Sequence, residues 1–352
     1  MNEPVDITLN ETRNIFLAAK RIVILTHERP DTDCLGAGTA LVLAARKLGK
    51  KAFAVNADEI PDRLKPAVGF ASENDACLPV YITAEPAESI ADAVGCFSPD
   101  LIIAADTAEL SLLGAYASVF SGRIGLKIDH HPPRDQFGAF NYVDYNASSC
   151  CEIIFRILSP LGVIDKEIAS ALYAGIIADS GNFKYPAVTA DTHLAAAALI
   201  ETGISHSEIS ERLFGKRTDK DLAALRIALD TLERFSCPRR DGKEIGCAWI
   251  FISNADKGKY SLDDSDLGGL NSFARDIEGV DVGVTIKQAT DEPTKFKLSF
   301  RSSKTNVSLI CEQLGGGGHT RASGGAVEAE SPEDAKRLIR EAIEKYGEPI
   351  IE

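Results

Sequence analysis

The sequence predicts an α/β protein with an N-terminal parallel sheet covered by helices on both faces, a helical linker and a smaller α/β domain. Short apolar runs alternate with stretches of helical spacing through the first half, which is typical of parallel sheets. The chain has 352 residues, whereas one hydrophobic core usually stops growing at about 250–300. We therefore expect domains over 1–204 and 241–352, joined by a linker over 205–240.

Four apolar runs of the first half predict strands, over residues 21–27, 51–56, 101–105 and 124–128. The first run leads into a polar turn and then an apolar helix over 35–48. From residue 149 to about 217 the spacing becomes helical. Because ligands of parallel sheets gather beyond the carboxyl ends of the strands, the residues that follow each run are candidates for function.

The second half predicts a smaller α/β domain after a long helix over 219–235 and a turn over 237–242. Its apolar alternation predicts strands over 245–252, 280–287 and 295–301. Its helical spacing predicts helices over 262–277 and 332–346. A glycine-rich segment over 314–319 separates the last strand from the last helix.

The composition argues against long nucleic acids and membranes as partners. The net charge is −14, whereas long duplexes bind through many Lys and Arg contacts. A small anionic substrate remains compatible if metal ions and a few local bases supply positive charge. No apolar run reaches the roughly 20 residues that span a bilayer, and the N-terminal residues lack a secretory pattern. Eight cysteines without a CxxC pair indicate reduced thiols, so we expect a cytoplasmic protein.

Acidic and histidine side chains follow the predicted strands and one apolar helix. These side chains are His27, Asp31 and Asp33, then Asp106, then Asp129, His130 and His131, and finally Asp179. Buried carboxylates are costly unless they are paired, protonated or bound to a cation. Divalent metal ions would therefore explain the cluster, and six ligands serve two ions if one carboxylate bridges. Mixed carboxylate and imidazole ligands suit manganese, and also iron, cobalt or zinc. Two such ions can promote phosphoryl transfer to water.

The glycine-rich segment is a second candidate site. Consecutive glycines from Gly315 to Gly318 let backbone N–H groups approach an anion, and His319 adds a donor. A flexible loop is the alternative interpretation. The nearby Gly324-Gly325 pair and the arginine-bearing strand LSFRSS favour substrate binding.

Five motifs carry a resemblance to a known family: HERPDTDCLGAGTAL, LIIAADTAEL, KIDHHP, IIADSGNFKYPAVTADT and GGGGHTRASGG. With these motifs the chain resembles the DHH phosphoesterase superfamily, and within it the DHH–DHHA1 proteins of the NrnA type. The resemblance implies one metal ion bound by His27 and Asp31, and another bound by Asp33, His130 and Asp179. It implies that Asp106 bridges the two ions, which are usually manganese.

The resemblance also assigns the remaining site residues. His131 would act catalytically on the scissile phosphate, and Asp129 would orient an imidazole. The distal part of the substrate would be held by Arg301, Gly316, Gly317, Gly318 and His319. Cys34 departs from the small residue that relatives often carry, and a packed spectator is the favoured interpretation of its thiol.

The resemblance implies a two-metal phosphoesterase that hydrolyses small nucleotides by attack of a metal-bound hydroxide. Candidate substrates are short oligonucleotides, linear dinucleotides and 3′,5′-bisphosphonucleosides. Alternatives in the superfamily are a cyclic-dinucleotide phosphodiesterase, an exopolyphosphatase or pyrophosphatase, and a RecJ-type exonuclease. From another class, a non-catalytic nucleotide or RNA sensor is disfavoured by the complete ligand set. A homodimer is compatible with the sequence.

Overall fold

The computed structural model describes residues 4–61, 64, 80–131, 135–215, 217–239 and 242–350. Packing divides the chain into two compact units, Met1–Lys216 and Arg217–Glu352. The residues of the predicted linker, 205–240, are shared between these units. Within the described ranges, none of the helices combines the length and apolarity that a bilayer crossing requires.

The first unit is built on a sheet of seven parallel strands in the order β1-β7-β6-β5-β2-β3-β4. The strands are β1 (Val5–Asp6), β2 (Arg21–Leu25), β3 (Lys51–Asn56), β4 (Tyr81–Thr83), β5 (Leu101–Ala105), β6 (Leu126–Asp129) and β7 (Phe140–Val143). From β2 the chain continues to β3 and β4 on one side, whereas β5 and β6 lie on the other. The order therefore reverses between β2 and β5, where α/β proteins usually bind ligands.

Helices pack on both faces of this sheet, which buries its apolar strands in two clusters. They are α1 (Leu9–Ala18), α2 (Thr32–Lys47), α3 (Ala87–Phe97), α4 (Ala117–Phe120), α5 (Cys150–Leu158), α6 (Lys166–Asp179), α7 (Ala190–Glu201) and α8 (His206–Ser210). Short 3-10 segments cover Leu110–Tyr116 and Ser159–Leu161, and a π-helical turn covers Glu211–Gly215. The predicted α/β class with a parallel N-terminal sheet is confirmed.

The connection between β2 and α2 is tighter than the sequence predicted. β2 ends at Leu25, two residues before the predicted end, and α2 begins at Thr32 instead of residue 35. The earlier start has a local cause, because the Asp31 carboxylate accepts the Cys34 N–H at 3.0 Å and caps the helix. Most of α2 is buried, and it packs closely against α6.

The second unit contains a six-stranded mixed sheet in the order β13-β14-β11-β10-β9-β8. Its strands are β8 (Glu233–Pro238), β9 (Glu244–Ile252), β10 (Val282–Gln288), β11 (Lys295–Ser302), β13 (Gly317–His319) and β14 (Ala322–Glu328), and a separate pair is formed by β12 (Thr305–Asn306) and β15 (Glu348–Pro349). The helices are α9 (Asp219–Thr231), α10 (Asn254–Tyr260), α11 (Val307–Gln313) and α12 (Pro332–Tyr346). The predicted smaller α/β domain is thereby confirmed.

One predicted helix of this half is too long at its C-terminal end, and another is wrong. The helix over 219–235 ends at Thr231, and residues 233–238 form β8, because Phe235 and Cys237 alternate into the core beside β9. The helix over 262–277 is replaced by turns and a 3-10 segment, Gly268–Leu270. There the Asp263 carboxylate accepts backbone N–H groups from Ser265 and Asp266, which favours a turn. Residues 240–241 of the predicted turn lie outside the described residues.

A glycine sets the close approach of α2 to α6. A Cβ atom on Gly36 would lie 2.5 Å from the Ala171 carbonyl oxygen of α6 and 3.0 Å from the Cys151 sulfur. We predict that Gly36→Ala lowers the free energy of unfolding by about 1–3 kcal/mol, because the packed helices must separate. Urea unfolding of the metal-free protein, followed by circular dichroism, measures this change.

Gly95→Ala in α3 is the matched control, since a Cβ atom there meets no atom within 4 Å. This substitution should stabilise the protein by about 0.5–1 kcal/mol through helix propensity. Equal unfolding free energies for the two variants would show that the space around Gly36 does not constrain the packing of α2 on α6.

Candidate metal centre

Three neighbouring strands bring the predicted site residues to one edge of the first sheet. His27 follows β2, Asp106 follows β5, and Asp129 ends β6, and these strands are adjacent in the order β6-β5-β2. The first turn of α2 adds Asp31 and Asp33, and Asp179 is the last residue of α6. The carboxyl ends of parallel strands share an edge, so residues far apart in sequence lie together.

One half of this cluster surrounds His27. Its Nε2 atom lies 3.7 Å from Asp31 Oδ2 and 3.6 Å from Asp106 Oδ2. Its Nδ1 atom lies 2.7 Å from the Glu28 carbonyl oxygen, an arrangement in which Nδ1 donates its hydrogen and Nε2 faces the two carboxylates. Ligand atoms that share one cation at about 2.0–2.2 Å stand about 3–4 Å apart. These separations therefore suit a metal ion.

The other half surrounds His130. Its Nε2 atom lies 3.5 Å from Asp106 Oδ1, 3.4 Å from Asp179 Oδ2 and 3.9 Å from Asp33 Oδ2. Potential ligand atoms of Asp33, His130 and Asp179 all lie within 4.8 Å of one another. The two carboxylate oxygens of Asp106 thus face different histidines, with Oδ2 near His27 and Oδ1 near His130. This is the arrangement that a bridging carboxylate requires.

Asp106 is held at a cost that a bound cation would offset. The side chain is 2% exposed, and its Oδ1 atom is buried without a hydrogen-bond partner among the described residues. Its backbone also has φ of +55°, in the left-handed region that few residues other than glycine adopt. An acceptor-only oxygen that is buried without a donor fits a metal ligand better than a structural group.

The first turn of α5 fixes the orientation of Asp33. Both carboxylate oxygens accept backbone N–H groups, from Cys150 at 2.7 Å and from Cys151 at 3.0 Å. Ser149 caps this helix by accepting the Glu152 N–H. A Cβ atom on Gly175 would lie 2.7 Å from Asp33 Oδ1, so α6 approaches the carboxylate closely. This anchoring could not be predicted from local patterns, because α5 lies more than a hundred residues from Asp33 along the chain.

The pKa values of the cluster report an excess of negative charge. Burial raises the pKa of Asp33, and the neighbouring carboxylates of Asp106, Asp179 and Asp31 raise it further. Burial also raises the pKa of Asp179, to about 6, against the opposing charge of His130. Burial alone would lower the pKa of His27, but the nearby carboxylates of Asp106 and Asp31 raise it far above its usual value. A divalent cation would relieve this repulsion.

Asp129 and Lys127 position the second histidine of the DHH motif. Asp129 Oδ1 lies 2.9 Å from His131 Nδ1 and accepts the backbone N–H groups of His130 and His131. The other oxygen, Oδ2, lies 3.4 Å from the Lys127 ammonium group, which is 1% exposed. Lys127 also donates to the carbonyl oxygen of Ala108 at 2.7 Å. Lys127 was not among the predicted site residues, although it is the one charged residue in the apolar run IGLKI that predicts this strand.

The thiol of Cys34 packs beside this centre. It is buried, and its sulfur lies 3.5 Å from the Asp31 carbonyl oxygen. Burial raises the pKa of Cys34 to about 12, so the thiol stays protonated at neutral pH. Potential ligand atoms of His27, Asp31 and Cys34 lie within 4.8 Å of one another, and the thiol would have to lose its proton to bind a metal ion.

The predicted substrate residues of the second unit are also brought together. Arg301 and His319 lie opposite Ala322 from its two sides, because β14 pairs with both β11 and β13. Three glycines of the adjacent segment are required by the backbone conformation or the packing of the second unit. Gly315 and Gly318 have φ of +67° and +145°, and a Cβ atom on Gly316 would lie 2.0 Å from the Gly324 carbonyl oxygen.

Gly317 differs from its neighbours. A Cβ atom there would meet no atom within 4 Å, and its backbone is outside the left-handed region. Packing among the described residues therefore does not account for glycine at this position. The open space at Gly317 leaves room for a ligand to approach the backbone closely.

Two family models match the chain in agreement with this geometry. The N-terminal domain of the DHH family matches residues 21–176, and the DHHA1 domain matches residues 241–346. The chain therefore carries an N-terminal domain of the DHH family and a DHHA1 domain, as the sequence resemblance implied. The predicted enzyme class, a metal-dependent phosphoesterase, is confirmed by these domains together with the relatives below.

Individual relatives span most of the chain. The probable bifunctional oligoribonuclease and PAP phosphatase NrnA of Streptococcus mutans is 28% identical and aligns over 86% of this chain and 88% of its own. The bifunctional oligoribonuclease and PAP phosphatase NrnA of Bacillus subtilis is 26% identical and aligns over 90% of this chain and 92% of its own. A crystal structure of an exopolyphosphatase-related protein from Bacteroides fragilis has a TM-score of 0.81 at 24% identity, covering 96% of both chains, and shows the shared fold.

Metal binding to this centre should release protons. The pKa of His27 lies far above neutrality, although burial opposes the shift. This imidazole is therefore protonated at pH 7.5 in the metal-free protein, whereas a ligating imidazole must be neutral. We predict release of at least about one proton on Mn²⁺ binding, and tighter binding as the pH rises from 6.5 to 8.5. Calorimetry in buffers of different ionisation enthalpy measures the release.

His27→Gln should reduce the number of released protons by about one. His206→Gln is the control, because His206 belongs to the same unit but packs against Tyr173. Proton uptake, or an affinity that does not vary with pH, would contradict the electrostatics described for the centre.

Proposed function

We propose that this protein is a two-metal phosphoesterase that hydrolyses short phosphorylated nucleotides. The observation that carries the proposal is the buried Asp106 carboxylate, whose oxygens face His27 on one side and His130 on the other. Four carboxylates and two imidazoles around one point form a donor set for two divalent cations. The proposal includes manganese as the metal, since mixed oxygen and nitrogen donors suit it.

The ligands divide between the two positions. His27 and Asp31 would hold one ion, and Asp33, His130 and Asp179 the other. Asp106 would contribute one oxygen to each. Ions bound there would lower the pKa of a coordinated water and offset charge on the phosphoryl oxygens. The Asp33 carboxylate would be oriented before a metal ion binds, because two backbone N–H groups of α5 fix its plane.

His131 would act on the phosphate itself. The hydrogen bond from Nδ1 to Asp129 fixes the ring, and Nε2 would be the nitrogen that faces the phosphate. Asp129 raises the pKa of this imidazole, so the charged form is favoured. A positioned imidazolium can donate a hydrogen bond to a phosphoryl oxygen or a proton to the departing oxygen. Lys127 neutralises the second oxygen of Asp129 and keeps this carboxylate in place.

The second unit supports a nucleotide rather than pyrophosphate as substrate. Arg301 and His319 lie in one row of the sheet, and Gly317 offers an unobstructed backbone beside them. A guanidinium and backbone N–H groups suit a phosphate, and an open glycine surface suits a flat base or a sugar. The relatives named as oligoribonucleases and PAP phosphatases act on ligands of this kind.

Removal of the bridging carboxylate tests the metal assignment. We predict that Asp106→Ala lowers kcat for Mn²⁺-dependent hydrolysis of a dinucleotide by at least about 10³-fold, because both ions lose a ligand. The metal-free variant should remain folded and be slightly more heat-stable than the wild type, since the substitution removes a buried unpaired oxygen. Full activity in this variant would overturn the assignment. Asp144→Ala, a carboxylate outside the cluster, is the control.

A substrate panel tests the class. The wild-type protein with Mn²⁺ should hydrolyse a dinucleotide and a 3′,5′-bisphosphonucleoside faster than pyrophosphate or a long single strand. Preference for pyrophosphate would favour the pyrophosphatase alternative. Saturable binding of the nucleotides without turnover would favour the sensor.

Gly317 tests the role of the second unit. We predict that Gly317→Ala raises KM for a dinucleotide about tenfold with little change in kcat, because the added methyl group obstructs the ligand and nothing else. A loss of this size corresponds to about 1.4 kcal/mol of binding free energy. Steady-state kinetics measures it. Gly258→Ala in α10 is the control, since that position is equally unobstructed. An unchanged KM for Gly317→Ala would remove this segment from the site.

A further inference from the structure

The second sheet has two faces, and only one is filled by the main core. Phe296, Leu298 and Phe300 of β11 point into that core. The alternate residues Lys297, Ser299 and Arg301 therefore lie on the opposite face. At β9 this opposite face is covered by apolar residues of α9 and of the turns after α10. At β11 the same face carries basic residues instead.

The strand register arranges this face in three parallel rows. A middle row of small residues runs through Ser299, Gly324 and Gly317, and it ends at Thr285, which is fully buried and donates its hydroxyl to the Leu270 carbonyl oxygen. One flanking row contains Arg301 and His319. The other flanking row places Lys287 directly opposite Lys297. Neighbouring rows on one face are about 6.7 Å apart along the strands. A smooth floor thus separates two basic rims.

The Lys287–Lys297 pair is electrostatically unfavourable in the protein alone. Like charges directly opposite each other destabilise a sheet. Burial lowers the pKa of Lys287. The Asp264 carboxylate opposes this shift, and the neighbouring cations Lys297, Lys257 and Arg301 add to it. Within the part of the chain that the structure describes, the Lys287 ammonium group makes neither a hydrogen bond nor an ion pair. Its side chain is nevertheless only partly exposed.

Two lysines of this region, Lys257 and Lys297, pair with the same carboxylate, Asp264. Asp264 lies 2.8 Å from the Lys297 ammonium group and 3.3 Å from that of Lys257. Lys257 has further partners, since it donates to the Gln288 carbonyl oxygen and to the Thr290 hydroxyl. Asp264 therefore compensates part of the charge of two lysines and leaves the row positive. A bound anion would satisfy Lys287 and reduce its repulsion from Lys297.

We propose that Lys287 and Lys297 form a second phosphate subsite, which binds a phosphate group of the substrate other than the one that is hydrolysed. The inference rests on the proposed function and adds a preference to it. Lys297 and Arg301 are four residues apart on β11, so about 13 Å separates their Cα atoms. A ligand that contacts both rims must carry negative charge at two separated points. A dinucleotide with an additional terminal phosphate meets this requirement, and its nucleoside covers the small-residue floor.

The kinetics of three dinucleotides on the full chain with Mn²⁺ test the subsite. The substrates are ApA, pApA and ApAp. For the wild type, KM of one of the terminally phosphorylated forms should be about tenfold lower than KM of ApA, as expected for a charge-assisted phosphate contact. In Lys297→Gln and Lys287→Met this preference should fall to about twofold or less, with kcat unchanged. Lys259→Gln removes an equal charge from the exposed side of α10 and should keep the full preference.

A gain of binding completes the experiment. Asp264→Asn removes the competing carboxylate, so KM for the preferred phosphorylated dinucleotide should fall about two- to fivefold while KM for ApA stays constant. A merely structural role of the lysines predicts no such gain. Equal rises of KM for all three substrates, or an undiminished preference in both lysine variants, would overturn the subsite. If the wild type hydrolyses neither these three dinucleotides nor a 3′,5′-bisphosphonucleoside, the proposed function itself fails; hydrolysis of the bisphosphonucleoside alone would overturn the subsite but not the proposed function.

Discussion

The first unit depends on one physical constraint, the burial of several carboxylates at a single edge of a sheet. Asp33 and Asp106 are each 2% exposed and lie beside Asp31 and Asp179. Such a group is costly in the absence of a cation, because each acid is desolvated and repels the others. Asp106 adopts a strained backbone conformation, and the first turn of α5 donates backbone hydrogen bonds to Asp33, so that these acids stay close together. A site this costly is expected where charge is needed for chemistry.

The architecture provides these groups in a rigid way. β2, β5 and β6 are parallel neighbours, so the imidazole and the carboxylates at their carboxyl ends lie side by side at one edge of the sheet. α2 and α6 complete the ring, and their close approach depends on glycine at Gly36 and Gly175. Because the ligands lie on the ends of packed elements rather than on long loops, their positions are set by the core. The same core explains why Asp106 keeps its orientation without a hydrogen bond to Oδ1.

Much of the fold and of the candidate site follows from local sequence patterns. Apolar runs that end in His or Asp identify strands and their functional ends, as at β5 and β6. The pattern fails where tertiary pairing decides, as at β8, whose residues look helical until Phe235 and Cys237 are placed against β9. It also fails for contacts over long sequence distances. Anchoring of Asp33 by α5 and neutralisation of Asp129 by Lys127 require the folded chain.

The central claim is that this cluster binds a pair of cations that share Asp106. Anomalous X-ray scattering from crystals grown with Mn²⁺ tests it most directly. Two anomalous peaks about 3.5–4 Å apart are expected, with Asp106 between them and His27 and His130 on opposite sides. A single peak that does not contact Asp106, or no peak among these side chains, would contradict it.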